Sequence, residues 1–275
     1  MKFAAGVTLY NPTQEQLSRI SDLQSSFDMI FLFDNSEPDY IKPEYPEGEK
    51  IVLLSEGFNK GLPFAFNSII SRCDDYDFLC TLDQDSSFLH GDIVSICNYI
   101  EKSVNIDDTG IVAPFIDYGY NVQKVDSIVE QKRWVITSGA FVNLHIVKKE
   151  RLKYDDNYFI DKFEIDLCWQ LTTRGYKILM YHPSVLHQQL GEKKGKSRSS
   201  HNALRHYYLF RNRFYFNNKW YKGPKKWFLN VAQTTRHLLM VIRYEDEPAK
   251  KLKSFAEATN DYLAGRMGKK DYFLK

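Results

Sequence analysis

The sequence predicts an open α/β fold with a mainly parallel sheet, and three observations carry that expectation. Short apolar runs at residues 3–9, 29–33, 51–54 and 78–83 have strand length, and each gives way to polar residues. Segments with apolar residues at helical spacing separate them, which is the pattern of βαβ units. The polar stops, Thr8, Asn11, Asp34, Asn59, Gly61, Asp83 and Asp85, then share one edge of the sheet, where ligands bind in open α/β folds.

The elements follow in order. After the first strand, Asn11-Pro12-Thr13 caps a helix carrying Leu17, Ile20 and Leu23. The second strand ends on Asp34-Asn35-Ser36. The third leads through Asn59-Lys60-Gly61 into a helix with Phe66, Ile69 and Ile70. A helix through Ile93, Ile96, Cys97 and Ile100 follows the fourth strand, and residues 110–114 read as another strand. Residues 117–132 lack a period and read as a loop that could touch a substrate. Residues 134–142 resume strand character around Ser138-Gly139, where a glycine permits close backbone approach or marks a bulge. Residues 177–181 form a last strand, with Pro183 and His187 beyond it.

The organising stretch is Phe78-Leu79-Cys80-Thr81-Leu82-Asp83-Gln84-Asp85. An apolar run reads as a strand covered on both faces, and it stops on two carboxylates one residue apart. Alternation points both to one side, and hard oxygen ligands there suit Mg²⁺ or Mn²⁺ bridging substrate phosphates. The competing reading is that Asp and Ser end a strand and open a turn. A second acidic group, Asp161, Glu164 and Asp166, opens a helix that passes Trp169 and stops at Gly175. Acids there serve either as dipole partners or as a rigidly aimed general base, for which Glu164 is the candidate. His187 is either a structural histidine or a further metal ligand beside the two carboxylates.

Composition narrows the classes. The chain has 275 residues, 43% hydrophobic, 26% charged and 15% aromatic, as expected of a globular protein. The four cysteines form no CxxC pair and read as reduced thiols of a cytoplasmic protein. The N-terminal apolar run is too short for a signal peptide, and no run is long enough to span a membrane. The sequence lacks a glycine-rich dinucleotide fingerprint. Gly191–Ser197 imitates a Walker loop, but it is one residue short between its glycines and lacks a following apolar helix.

Taken jointly and in order, Asn11-Pro12, Asp34-Asn35-Ser36, Asn59-Lys60-Gly61 with Asn67, Leu82-Asp83-Gln84-Asp85, Ser138-Gly139, Glu164-Ile165-Asp166-Leu167-Cys168-Trp169, Leu186-His187 and Arg205-His206-Tyr207-Tyr208 with Arg211-Asn212 resemble family 2 inverting glycosyltransferases of the GT-A fold. The closest likeness is to bacterial rhamnosyltransferases of cell-surface polysaccharide synthesis, and it covers roughly residues 3–215. The resemblance implies a nucleotide-diphosphate sugar donor, dTDP- or UDP-linked, and a glycan or polyprenyl-linked acceptor. It implies donor binding by Thr8, Tyr10, Asn11, Asp34, Asn59, Gly61, Asp83 and Gln84, and Mn²⁺ or Mg²⁺ held by Asp83, Asp85 and His187. Glu164 falls at the position of the general base, with Asp166 and Asp161 as the other acids in reach. Ser138, Gly139 and Trp169 fall on the acceptor side. Phe163 and Gln170 depart from the family pattern. Residues 1–200 would be the GT-A domain, divided into a nucleotide-sugar half (1–115) and an acceptor half (116–200). A nucleotidyltransferase on a similar fold is the second reading, and a non-catalytic adaptor is the third.

Residues 201–275 form a basic, aromatic helical region. Residues 193–275 carry 20 Lys+Arg against 6 Asp+Glu, which leaves the rest of the chain acidic. Trp227, Val231, Leu238, Leu239 and Ile242 are expected near one helical face, and a second helix starts at Pro248. Three readings stay open: an anionic membrane surface, plain packing of the aromatics, and nucleic acid, which the upstream acids disfavour.

Overall fold

The computed structural model describes residues 1–119, 127–188 and 201–270. They form two compact units, Met1–Asp155 with Glu164–Gln189, and Asp156–Phe163 with Leu190–Lys275. The boundary expected at residue 200 is thus incomplete, because residues 156–163 cluster with the C-terminal helices.

The first unit contains the sheet. Its strands are β1 (Phe3–Leu9), β2 (Met29–Asp34), β3 (Ile51–Ser55), β4 (Phe78–Asp83), β5 (Ser86–Phe88), β6 (Thr109–Asp117), β7 (Val129–Gln131), β8 (Ala140–Asn143) and β9 (Lys177–Gln188). Its helices are α1 (Gln14–Ser21), α2 (Leu62–Ile70), α3 (His90–Ser103), α4 (Leu144–Lys149) and α5 (Phe163–Thr172). The strand order is β3-β2-β1-β4-β8-β6-β9-β5, with β7 paired to β9. β1 to β4 run parallel, β8 is antiparallel to both β4 and β6, and β9 is parallel to β6. The carboxyl ends of β1, β2, β3, β4, β6 and β9 and the amino end of β8 therefore share one edge.

Alternation along the strands sorts the faces. Val7, Leu9, Ile30, Leu32, Phe78 and Cys80 pack in one cluster with Leu17 and Ile20 of α1 and Ile93, Ile96 and Ile100 of α3. Gly6 lies on the other face, against Ile69 of α2, where a Cβ would come within 3.1 Å. Each fully buried Leu, Ile or Phe contributes about 1.5–3 kcal/mol relative to exposure. Thr13 starts α1 with a reciprocal cap: its hydroxyl accepts from Gln16 N–H and its own N–H donates to Gln16 Oε1. The cysteines are free thiols, and burial pushes those of Cys73 and Cys168 up to about 12.

Several expected elements change. The strand over 134–142 shrinks to β8, because Gly139 turns at φ +81 and the Thr81 hydroxyl takes the Thr137 carbonyl at 2.6 Å. The loop expected over 117–132 holds β7. The strand expected to end at Tyr181 resumes after a bulge at residues 182–184, where Pro183 cannot donate to the ladder, and continues past His187. Residues 120–126 of the expected substrate loop and the Walker-like Gly191–Ser197 lie outside the described residues.

In the second unit, α6 (Ala203–Trp220), α7 (Gly223–Tyr244) and α8 (Pro248–Leu263) follow a cap at Asn202, whose Oδ1 accepts from Arg205 N–H at 2.8 Å. Phe159, Tyr207, Tyr208, Phe210 and Ala258 form its apolar cluster. Tyr158, Phe216 and Val241 are buried as well, and beside them the interior holds several polar side chains. Arg211, 1% exposed, donates to Tyr207 Oη, Arg266 O and Gly268 O at 3.1, 3.4 and 2.6 Å. Asn212 Nδ2 donates to the carbonyls of Tyr158, Ile160 and Asp161 at 3.0, 2.6 and 3.1 Å. That side chain ties residues 156–163 to α6, where Phe159, Asp161 and Lys162 adopt positive φ.

Candidate active site

At the tips of β1 and β2 the chain builds a wall. Asp34 is 1% exposed; its Oδ1 accepts from Ser36 N–H at 3.0 Å and its Oδ2 from Lys42 Nζ at 2.6 Å. Burial alone would raise the Asp34 carboxyl, but the bonds from Lys42 and Ser36 outweigh it and hold the group below the ordinary range. Asn35 Oδ1 accepts from Lys60 N–H at 2.8 Å, and Asn59 Oδ1 accepts from Gly61 N–H at 2.9 Å. Asn59 thus shapes the loop that leads into α2, and Gly61, at φ +91, is the N-cap of that helix. Asn11, at φ +48, donates its N–H to Ser36 Oγ at 2.8 Å, and its side-chain Oδ1 is buried with no hydrogen-bond partner among the described residues.

The tip of β4 lies beside that wall. Thr8 of β1 is in register with Asp83. The Asp83 N–H donates to Ser138 Oγ at 3.3 Å, and the Ser138 hydroxyl bonds that of Ser86. Gly139 keeps this corner close, because a Cβ there would sit 2.9 Å from Pro114 Cγ. The side chain of Gln84, expected at the donor, clasps the backbone: Oε1 accepts from Tyr10 N–H at 2.7 Å and Nε2 donates to Tyr10 O at 3.1 Å. This locks the β1 loop to the β4 turn and leaves Tyr10 48% exposed. Asp85 presents itself to solvent while its carboxyl is crowded by the turn, and that desolvation holds it above the usual carboxylate range.

Asp83, Asp85 and His187 are not assembled as a three-ligand metal group. Among the described residues no three His, Cys, Asp or Glu side chains stand in such an arrangement. His187 lies on the neighbouring β9, opposite Ser87, and its Nδ1 faces Asp117 Oδ2 at 3.3 Å. The two aspartates by themselves still fit a hard divalent cation in a nucleotide site, which takes one or two carboxylates and completes its shell with phosphate oxygens and water.

The three candidate bases part company. Asp166 is fully buried, and its Oδ2 accepts from Gln170 Nε2 at 2.8 Å; the same nitrogen donates to Lys153 O at 3.0 Å. Asp161 does not lie in the first turn of the helix as expected. It belongs to the second unit, in a left-handed turn, where Arg205 Nη2 meets its Oδ1 at 2.6 Å. Burial raises the Asp161 carboxyl even against that cation. Glu164, half-buried in the first turn of α5, lies near Tyr154 and Cys168; burial first, and the Glu164 charge with it, raises both of those groups. Tyr154 in turn reaches Thr81 of β4 and exchanges two backbone bonds with the Asn67 side chain of α2, at 2.8 and 2.9 Å. Alternation puts Thr81 and Asp83 on one face of β4, so Tyr154 links the surroundings of Glu164 to the Asp83 strand. Trp169 is half-buried further along α5.

Sequence reasoning missed Lys42, Ser86, Asp117 and Tyr154. Lys42 and Tyr154 lie outside the expected elements, and Ser86 and Asp117 act through Ser138 and His187 far along the chain, so no local signal marked them.

No family model matches the chain, and no curated protein matches it. Solved structures do. TarS residues 1–349 from S. aureus, crystallised with UDP-GlcNAc, match 97% of this chain and 84% of theirs at TM-score 0.58 and 10% identity. The same fragment in a second crystal structure gives 97%, 83%, 0.56 and 10%. A longer TarS structure gives 0.51, with 96% of this chain and 44% of that one covered. The chain has the GT-A fold with a C-terminal helical extension.

Proposed function

We propose that the protein is a metal-dependent inverting glycosyltransferase that moves a sugar, rhamnose by the resemblance above, from a nucleotide diphosphate to a glycan or lipid-linked acceptor. The observation that carries the reading is the convergence at one sheet edge of the Asp34 wall, the Asn59-Gly61 loop and the Asp83-Gln84-Asp85 tip. The UDP-GlcNAc of the TarS structure supports a nucleotide-sugar donor for a chain of this fold.

In this reading Asp34, with lone pairs left after Ser36 and Lys42, faces the base of the nucleoside, and the buried Asn11 Oδ1 offers a further acceptor. Asp83 and Asp85 hold Mn²⁺ or Mg²⁺, which when bound neutralises charge on the departing diphosphate. Glu164 takes the proton of the acceptor hydroxyl as that oxygen attacks the anomeric carbon from the face opposite the leaving group, giving inversion. Of the three acids Glu164 is the candidate, half-buried in the first turn of α5, whereas Asp166 is fully buried and Asp161 belongs to the second unit. His187 contributes through Asp117 and the β9 edge.

The test is thermal stability across nucleotide diphosphates and nucleotide sugars, with and without Mn²⁺. A ligand that binds only the native state raises the melting temperature with occupancy. The wild type is expected to respond to dTDP or UDP species only with metal, and Asp85→Ala to lose that response. An unchanged Mn²⁺-dependent shift in Asp85→Ala would remove the metal assignment, and no response of the wild type to any nucleotide would remove the donor reading.

A further inference from the structure

The sequence placed Trp227, Val231, Leu238, Leu239 and Ile242 on one face of α7, but the helix has two apolar faces. Leu238 turns inward with Thr234 and Val241, toward α6 and α8. Phe228, Val231, Leu239 and Ile242 turn outward and are 70%, 64%, 62% and 57% exposed, with Trp227 at 67%. Their spacing of three or four residues, with Thr235 between, draws a continuous stripe along the helix. Lys225, Arg236 and Arg243 lie about three and two turns apart, which aligns them in one row along the flank of that stripe. Residues 223–244 contain no Asp or Glu. No described helix is long and apolar enough to cross a membrane.

We propose that this face of α7 lies flat on an anionic lipid bilayer, with Trp227, Phe228, Val231, Leu239 and Ile242 entering the boundary between headgroups and acyl chains. Lys225, Arg236 and Arg243 reach the phosphate headgroups. An acid-free helix with a Trp/Phe end, an apolar stripe and a cationic flank has the physical requirements for an interfacial position. Charge selects lipid over a second copy of the chain, since a self-complementary pairing of this face would oppose its cationic rows with no carboxylate of α7 to meet them. The inference rests on α7 itself and is independent of the donor-site reading.

The test is sedimentation of the full chain with vesicles of pure phosphatidylcholine or of phosphatidylcholine with phosphatidylglycerol, at low and high salt. Binding is expected to the anionic vesicles only and to weaken with salt. One basic side chain near an anionic surface contributes about fivefold, so the triple variant Lys225→Glu, Arg236→Glu, Arg243→Glu should bind about a hundredfold more weakly. All these positions are exposed, so the variant should keep wild-type helicity and nucleotide response. Leu239→Asp should weaken binding as well, and a blue shift of emission on binding should vanish in Trp227→Phe. Equal binding to both vesicle types, no binding to either, or a concentration-dependent dimer that Leu239→Asp dissolves would each overturn the proposal.

Discussion

The two units differ in which polar groups they bury and in where their large apolar side chains lie. In the sheet unit one large apolar cluster runs from Phe3 to Leu186, and the polar groups buried beside it are small or single acids, among them Asn143, Asp166 and Asp34, the last at the candidate edge with Asp83 and Asp85. In the helical unit the interior carries Arg211, His206, Asn212, Asn217 and Lys251, while Trp227, Phe228, Val231 and Leu239 lie outside. A rigid sheet can hold Asp83 and Asp85 in fixed positions at its edge without depending on them for stability. The helical unit depends on its polar groups, because an unpaired buried donor or acceptor costs about 1–3 kcal/mol.

The comparison breaks first at Arg211. Arg211→Ala removes the donor to the carbonyls of Arg266 and Gly268, leaves the Tyr207 hydroxyl with Asp261 alone and opens a cavity, so chemical denaturation should show a loss of about 4 kcal/mol. The nucleotide-induced shift of the sheet unit should persist; a stability change under about 1 kcal/mol would show that the polar interior is not what holds the helices.

Glu164→Gln tests the other side. Turnover should fall about a hundredfold or more, with donor affinity and melting temperature close to wild type. Full activity would move the base to Asp166 or Asp161, and a marked loss of stability would make Glu164 structural.

The smallest effect depends on pH. His206 Nδ1 meets His237 Nε2 at 2.9 Å, and Arg213 Nη2 meets His237 Nδ1 at 2.8 Å. His206 Nε2 meets Glu245 Oε2 at 2.7 Å, and Lys251 Nζ reaches the same oxygen at 2.7 Å. Arg213 can only donate, so His237 Nδ1 accepts and its Nε2–H points at His206, which leaves the His206 Nε2–H for Glu245. Burial, then the Arg213 charge, pushes His237 down to about 3, and burial lowers His206 despite Glu245. The unfolded chain therefore binds protons that the folded one refuses. The stabilisation is complete above about pH 6.5 and is lost as pH falls below it, by about 1 kcal/mol at pH 5 after solvent screening. Melting curves at pH 7.5 and 5 should show the drop, and His237→Gln should flatten it. An unchanged slope in that variant would assign the pH dependence elsewhere.

Local pattern determined much of this protein. The runs that became β1, β2, β3 and β4 are set by apolar length and by the polar residues that end them, and Asn11-Pro12-Thr13 announces α1. The acids at the tips of β2 and β4 were legible because a strand fixes where its last residue stands. The basic balance of the C-terminal region was also plain in composition.

Tertiary structure decided what depends on partners far along the chain. Nothing local says that β8 enters antiparallel between β4 and β6, that Asn67 meets Tyr154, or that His187 faces Asp117. The partners of two acids near residue 164 were equally invisible, Gln170 for Asp166 and Arg205 for Asp161. Leu238 and Leu239 are adjacent and equally apolar, yet one faces the helical interior and the other solvent. Periodicity measures angle around a helix, while burial depends on which neighbouring element occupies that angle, and only the folded chain supplies it.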